Sequence, residues 1–423
     1  MYQTTTLENG LRVVTGSMPH TRSASILIYY KVGARYEAKD VSGISHYIEH
    51  MLFKGTRKRR TPQEISEAIE GLGGSLNAMT DREYTAYSAI VPSQHFGLAF
   101  DVLTDMLQES RFDPEEVERE RAVIIEEING TLDSPPDMVN EAIDAVMWGD
   151  QPIGRPVAGT RETVAAISRA QMVEYLERHY VPRATVVSVA GQVEHDAVVD
   201  TVRRTLGAGR EGGEPATYEP ARPGAAGPRV QIVEKDTEQA HLCIGLPALS
   251  YLDPDRYAQQ LLDSILGGGM SSRLFVEIRE KRALAYTVAS YVDNFRDAGG
   301  LILYAGVDNE QVGNCISGML HELDRLRQQA PSAEELRKVK EYNKGSLLLA
   351  LESSRSVASW GGRQELLLDR IYDVDEVIER IEAVTPDDVQ RLAGRLFQQS
   401  HLSLSVVGPF ADGDEFQKLL TLA

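Results

Sequence analysis

Two histidines and a glutamate at helical spacing are the residues of this sequence best suited to chemistry. His46 and His50 lie four positions apart, and Glu49 directly precedes the second histidine. Residues at i and i+4 share one face of an α-helix, so both imidazoles could bind one metal ion. Glu49 lies on the same side, where it could deprotonate a water molecule as the general base of metal-assisted peptide hydrolysis.

The segment that carries these residues has the pattern of a short amphipathic helix. Ser42 is a predicted N-cap, and Gly55 stands where the helix would end. Between them runs an apolar stripe at helical spacing: Ile44, Ile48, Met51 and Leu52. The alternative is a pair of surface histidines that flank a solvated glutamate, and the stripe favours the metal-binding interpretation.

A third ligand must come from elsewhere, because a catalytic zinc ion typically takes three protein ligands and one water. The best source is the helix predicted over residues 115–130, with Asp113 as its N-cap. Glu120 and Glu127 are seven positions apart and share one face of that helix. Composition does not separate Glu120, Glu126 and Glu127 as ligand candidates, and a solvated acidic helix with Glu–Arg pairs is the alternative.

Together, the two motifs resemble the pitrilysin family of zinc metallopeptidases, the inverzincins, and are most similar to its prokaryotic members of the processing-peptidase type. The runs 50–56, 74–80 and 83–85 are similar to runs in processing-peptidase relatives. The resemblance implies one Zn2+ ion per chain and these roles: His46, His50 and Glu127 as metal ligands, Glu49 as general base and Glu120 as a supporting acid. Glu126 stays a rival ligand, since a slip of one residue would turn it inward.

Composition and charge disfavour several classes of protein function. The chain has 423 residues, 42% of them apolar, and a net charge of −19, which disfavours nucleic acid as a partner. No apolar span is long enough for a membrane helix, and the first residues show no secretory signal, so we expect no membrane association. Only two cysteines occur, Cys243 and Cys315, which fits a reduced cytoplasmic location.

The chain is predicted to contain two copies of one fold. A Gly/Pro-rich linker at 207–228 separates an N-terminal zinc-binding catalytic domain, 1–206, from a C-terminal, metal-free domain, 229–423. A helix–strand unit at 168–191 recurs at 385–408, and a chance match of common patterns is the alternative. The predicted fold class is α+β, with two tandem α/β-roll domains, each a mainly antiparallel sheet with helices packed on one face.

The second half has no histidine where the first has its metal motif, but it carries Arg279 and Tyr286, two turns apart if the segment is helical. The resemblance implies that this pair binds the substrate's backbone carbonyl, and a surface arginine with a core tyrosine is the alternative. Relatives often have glycine where this chain has Ala283 or Ala285. The nearby loop Gly267–Gly269 resembles a glycine-rich loop of the non-catalytic processing-peptidase subunit, and a hinge, a substrate-sensing loop or a plain turn are all open.

These residues predict a zinc-dependent endopeptidase that acts on peptides or unfolded segments. A processing peptidase is one enzyme of this kind. Substrate is expected to bind extended along a sheet edge at Leu76, Asn77 and Ala78. The family's closed chamber needs four half-domains, so the resemblance implies a homodimer. The alternative is a non-catalytic assembly or scaffold member of the same family, although such members typically have eroded zinc motifs.

Overall fold

The computed structural model describes residues 2–207, 213–222, 224 and 227–422, so parts of the predicted linker lie outside the described residues. The strands are β1 (Tyr2–Thr6), β2 (Arg12–Ser17), β3 (Ser23–Tyr30), β4 (Ser75–Thr80), β5 (Thr85–Pro92), β6 (Thr185–Gly191), β7 (Arg229–Glu234), β8 (Gln239–Ala248), β9 (Ala285–Asn294), β10 (Gly299–Asp308) and β11 (Ser403–Gly408).

The α-helices are α1 (Ile44–Leu52), α2 (Pro62–Glu70), α3 (Phe96–Glu109), α4 (Pro114–Asp133), α5 (Pro135–Trp148), α6 (Arg161–Ala166), α7 (Arg169–His179), α8 (His195–Arg204), α9 (Arg256–Leu266), α10 (Val312–Gln328), α11 (Ala333–Ala350), α12 (Ser354–Leu368), α13 (Val374–Ala383), α14 (Pro386–Leu396) and α15 (Asp414–Leu419). A short π-helix covers Phe275–Lys281. No helix in the described part of the chain is long and apolar enough to cross a membrane.

The chain forms two compact units, and neither is a continuous stretch of sequence. The first unit comprises Met1–Ile128, Arg155–Glu219 and Leu348–Asp373. The second comprises Asn129–Gly154, Pro220–Leu347 and Val374–Ala423. The helices α5 and α12 therefore each belong to the unit built mainly from the other half of the chain.

The first unit is built on a six-stranded sheet in the order β1-β2-β6-β3-β5-β4. Only the β2–β6 pair is parallel, so the sheet is mainly antiparallel, as predicted. Inward-facing residues such as Ile28 of β3 pack against helix residues such as Phe100 of α3 and Ile48 of α1. One hydrophobic core thus fixes the sheet and the helix that carries the histidine motif.

The second unit repeats this plan with five strands in the order β7-β11-β8-β10-β9. Its strand directions match those of β2-β6-β3-β5-β4, with one parallel pair, β7–β11, followed by antiparallel pairs. The predicted repeat is visible in the helix caps, because Ser168 of α7 and Thr385 of α14 each form a capping box. The predicted fold class, α+β with two tandem domains, is confirmed, although each sheet has a helix on its second face as well.

Helix α12 covers the face of the first sheet opposite α1 and α3, and helix α5 covers the corresponding face of the second sheet. In the first unit α12 packs on β2, β3 and β6, and a Cβ at Gly362 would lie 2.5 Å from the ring of Tyr29. Tyr29 and Ile28 are neighbours on one strand and so point to opposite faces. In the second unit α5 takes the equivalent place, where Met147 and Ile143 pack against Cys243 of β8.

Part of the predicted linker is fastened to the first unit although it forms no helix or strand. The Tyr218 hydroxyl donates to Glu83 Oε1 at 2.9 Å, and the Arg35 guanidinium lies 3.9 Å from the centre of the Tyr218 ring. Arg35 also pairs with Glu83 at 2.8 Å, and both side chains are almost fully buried. The run 83–85, which the sequence analysis singled out, thus supplies an anchor for the Gly/Pro-rich segment.

Candidate metal centre

Helix α1 holds the histidine motif because its other side is apolar. Ile44, Ile48 and Met51 are buried in the core of the first unit. His46 and His50 therefore stay on the partly open side, with their ring centres 4.6 Å apart. The predicted amphipathic helix thus presents both imidazoles in one direction.

The start of α1 differs from the prediction, which placed the N-cap at Ser42. The helix begins after Gly43, whose φ of +94° is a conformation that favours glycine. Because this residue has no side chain, the cap comes from a distant carboxyl group. Glu37 accepts hydrogen bonds from the backbone N–H of Gly43 at 2.7 Å and of Ser45 at 2.8 Å. Burial raises the pKa of Glu37 to about 7, against the effect of these hydrogen bonds.

Helix α4 brings a carboxylate to the two histidines. Glu127 Oε2 lies 3.8 Å from His46 Nε2 and 3.5 Å from His50 Nε2. Ligand atoms of the three residues all lie within 4.8 Å of one another. Zinc–ligand bonds of about 2.1 Å in a tetrahedron separate neighbouring ligand atoms by about 3.4 Å, so these spacings fit a zinc ion. Glu126, the rival candidate, is not part of this cluster.

Glu120 lies behind the histidines, on the same face of α4 as Glu127. Its Oε2 atom is 3.1 Å from His50 Nδ1, and Lys54 Nζ is 2.8 Å from its other oxygen. Burial alone would raise the pKa of Glu120, but the hydrogen bonds from His50 and Lys54 outweigh it and hold the pKa below its ordinary value. An ionised Glu120 keeps the proton of neutral His50 on Nδ1, which leaves Nε2 free to bind a metal.

Glu49 is held by the end of the edge strand. The Thr80 hydroxyl donates to Glu49 Oε2 at 2.5 Å. Burial raises the pKa of Glu49, and Glu127 adds to the rise, whereas Thr80 and His50 lower it. Burial, with the neighbouring His50, lowers the pKa of His46 to about 4, so this imidazole is neutral at pH 7. A neutral imidazole and a carboxylate of raised basicity are the forms a metal site with a general base requires.

Strand β4 is an edge of the first sheet, as the predicted substrate strand requires. It pairs with β5 on one side, and no other strand follows it in the sheet order of the described residues. Leu76 and Ala78 pack partly against the core, while Asn77 is exposed. The other long side of the strand offers backbone groups for pairing with an extended chain.

Arg279 and Tyr286 are close together in the second unit, although the segment is not one helix, the condition under which they would lie two turns apart. Arg279 lies in the π-helix Phe275–Lys281, and Tyr286 lies on β9. Between them the chain turns at Ala283, which has a φ of +50°. The Arg279 guanidinium carbon lies 5.3 Å from the centre of the Tyr286 ring. Tyr286 is 75% exposed, which excludes the alternative of a core tyrosine.

The glycine-rich loop is tightly packed at its start and open at its end. A Cβ at Gly267 would lie 2.2 Å from the backbone nitrogen of Ser290, so this residue has no room for a side chain. At Gly269 nothing lies within 4 Å of such an atom. Close backbone approach thus requires glycine at position 267.

The second unit holds a neutral cluster where chain order places the counterpart of the histidine motif. Gln260 and Ser264 lie four positions apart on α9, as His46 and His50 do on α1. Asn343 of α11 accepts from Gln260 Nε2 and donates to Ser264 Oγ, each at 2.9 Å. These hydrogen bonds join α9 to α11, as the carboxylate and the imidazoles bring α4 and α1 together in the first unit.

Three site contacts went unrecognised in the sequence: the cap by Glu37, the support of Glu120 by Lys54 and the support of Glu49 by Thr80. Lys54 and Thr80 lie in runs that are similar to relatives, and Glu37 lies in none of them; a run does not say which side chain touches the site. Only Lys54, four positions after His50, had a helical spacing that could have indicated it.

Two protein-family models and several relatives match this chain. Residues 12–161 match the family described as Insulinase (Peptidase family M16), and residues 166–343 match the Peptidase M16 inactive domain. An uncharacterized zinc protease of Streptomyces coelicolor is 41% identical over 96% of this chain and 90% of its own length. One from Bacillus subtilis is 36% identical over 96% of this chain and 97% of its own length.

Solved structures show the same fold at low sequence identity. A protease from Helicobacter pylori matches with a TM-score of 0.90 and 23% identity over 97% of this chain and all of that one. A chain of Complex III2 from Candida albicans matches with a TM-score of 0.84 and 20% identity, over 99% of both chains. The chain belongs to the M16 family of peptidases, the insulinase or pitrilysin family, and its relatives are named zinc proteases.

Proposed function

We propose that this protein is a zinc-dependent endopeptidase that cleaves peptides or unfolded segments. The observation that carries the proposal is the convergence of His46, His50 and Glu127, with ligand atoms within 4.8 Å, beside Glu49. Zn2+ bound by the three residues would supply Lewis acidity, which activates water as a nucleophile and polarises a carbonyl group. The names of the relatives support zinc as the metal.

The chain's own residues provide the proton transfers. Glu49 takes the proton of the attacking water and then gives it to the leaving amine, a role that its raised pKa favours. Thr80 fixes the orientation of the Glu49 carboxylate. Glu120 orients His50 through Nδ1 and keeps its other ring nitrogen available.

The substrate is proposed to bind as an extended strand along β4, beside Leu76, Asn77 and Ala78. Backbone hydrogen bonds at a sheet edge are tolerant of sequence and hold a peptide linear, which suits a peptidase of varied substrates. Arg279 and Tyr286 are proposed to bind the substrate carbonyl, since a cation beside an exposed phenol can stabilise developing negative charge. We further propose a cytoplasmic homodimer as the working assembly.

The proposed function is tested by replacing the base and leaving the ligands in place. The variant Glu49→Gln is expected to keep stoichiometric zinc and lose about 10²–10⁴-fold in kcat, because only the proton acceptor is removed. Zinc is measured by atomic absorption and turnover with a quenched fluorescent peptide. Glu118→Gln, an exposed carboxylate on α4, is the matched control and should behave as wild type. Wild-type turnover in Glu49→Gln would contradict the mechanism.

A non-catalytic assembly or scaffold protein is the second candidate, supported by the match of residues 166–343 to the Peptidase M16 inactive domain. The two candidates differ in a simple measurement. A peptidase should contain zinc and lose cleavage with a chelator, then regain it when zinc is restored. A purified protein that binds no zinc and cleaves no peptide would favour the assembly role.

A further inference from the structure

We propose that Glu37 is a positioning residue that sets the direction of the ligand-bearing helix α1. The inference rests on the proposed function, and it assigns a role to a side chain outside the metal motif. The carboxyl group of Glu37 closes the N-terminus of α1 from a separate segment of chain, at 2.7 Å from the Gly43 nitrogen and 2.8 Å from the Ser45 nitrogen.

The helix has no cap of its own at this end. Its N-cap residue is glycine, in a left-handed conformation that a larger residue would not adopt without strain. A Cβ at Gly43 would also lie 2.5 Å from the carbonyl oxygen of Ala158. No capping side chain can therefore be supplied at position 43, and Glu37 satisfies two of the N–H groups that a helix start leaves unpaired.

The cap lies close to the metal ligands along the chain. Helix α1 has nine residues, and His46 is the third of them. A helix this short has little stability by itself, so its direction depends on tertiary contacts. Both carboxyl oxygens of Glu37 are used, one for each N–H, which fixes the first turn in position and in rotation. Successive residues of a helix point about 100° apart, so a rotation of the first helical turn would change the direction of both imidazoles.

Glu37 is itself held firmly. It is 4% exposed, and its backbone carbonyl accepts a hydrogen bond from Arg155 at 3.2 Å. The Ser45 hydroxyl, next to the cap, lies 3.1 Å from the Tyr175 hydroxyl of α7. Glu37, Ser45 and Tyr175 thus connect the start of α1 to the rest of the first unit.

The test compares two helix caps of the first unit. In Glu37→Gln the amide offers one acceptor in place of two, so zinc affinity should fall by about 10–100-fold and kcat should fall with little change in KM. Thr61→Ala removes the N-cap of α2, where the Thr61 hydroxyl accepts from Glu64 N, and should lower the midpoint of thermal unfolding without altering zinc affinity. Zinc affinity is measured by competition with a chelator on protein shown to be folded by circular dichroism.

Glu37→Asp serves as a second variant should Glu37→Gln fail to fold, because it keeps the charge but shortens the reach. Reduced zinc affinity in either folded variant supports the proposal. Wild-type affinity and kcat in the folded variants would overturn it. If the wild-type protein itself binds no zinc, the proposed function fails first, so the two failures are distinguishable.

Discussion

Glu126 and Glu127 are adjacent glutamates with different surroundings. Consecutive residues on a helix point about 100° apart, and only Glu127 has its carboxylate near His46 and His50. The spacing from Glu120 predicted a shared face, but composition did not show which glutamate reaches the metal. The packing of α4 on α1, where the Tyr47 hydroxyl donates to the Val117 carbonyl, supplies that missing information.

The pair of glutamates is a matched test of the ligand assignment. Glu127→Gln is expected to lower zinc affinity by more than about 100-fold, since it removes one of three ligands, whereas Glu126→Gln should bind zinc normally. Both changes remove one negative charge from the same turn, so a general electrostatic effect would be equal in the two variants. Loss of zinc in Glu126→Gln alone would mean that α4 is rotated relative to our assignment.

Acid pH should inactivate the enzyme through Glu49. Burial raises the pKa of this carboxyl above its ordinary 4.5, and the base acts only when deprotonated. Activity at saturating zinc should therefore fall as the pH is lowered and Glu49 takes up a proton. The measurement is the pH profile of kcat, with zinc content followed in parallel to separate loss of metal from loss of base. Constant kcat through the acid range, with zinc retained, would contradict the role of Glu49.

At the scale of elements, the turn at Ala283 places a non-glycine residue in a left-handed conformation that favours glycine. Its φ of +50° costs a non-glycine residue about 1 kcal/mol. Ala283→Gly should leave stability unchanged or raise it by up to about 1 kcal/mol, because relief of strain offsets the greater flexibility of the unfolded chain. Thermal unfolding measures the effect.

Ala285 is the control for that change. It is buried at the start of β9, so Ala285→Gly should lower stability by about 1 kcal/mol. If both variants lost stability equally, the strain assigned to Ala283 would be absent.

Most strands and long helices were predictable because their patterns are local. The helix predicted over residues 115–130 is found as α4, Pro114–Asp133, and the helix–strand unit predicted at 168–191 is found as α7 and β6. The placement of α5 and α12 was not predictable. An amphipathic helix shows that one side is buried, but not which sheet buries it. The contact between Gly362 and Tyr29 joins positions more than 300 residues apart, and no spacing in the sequence encodes it.

At the scale of the whole molecule, the proposed assembly makes a prediction about mass. Size-exclusion chromatography with light scattering should give about twice the 46.7 kDa chain mass. A series of dilutions followed for both mass and peptidase activity shows whether the two fall together. A monomer with full activity would contradict the homodimer and leave the zinc chemistry intact.

Helix α12 belongs to the first unit but lies in the second half of the chain, and this order has a consequence for synthesis on the ribosome. The first sheet is complete at Gly191, but the helix that covers its second face ends at Leu368. About 180 residues separate these points, which at roughly 5–20 residues per second is about 10–35 seconds of translation. During that interval the face that includes Tyr29 has no covering helix. The nascent chain therefore needs protection from aggregation, and a gene cut at the linker would encode a first half that never receives its cover.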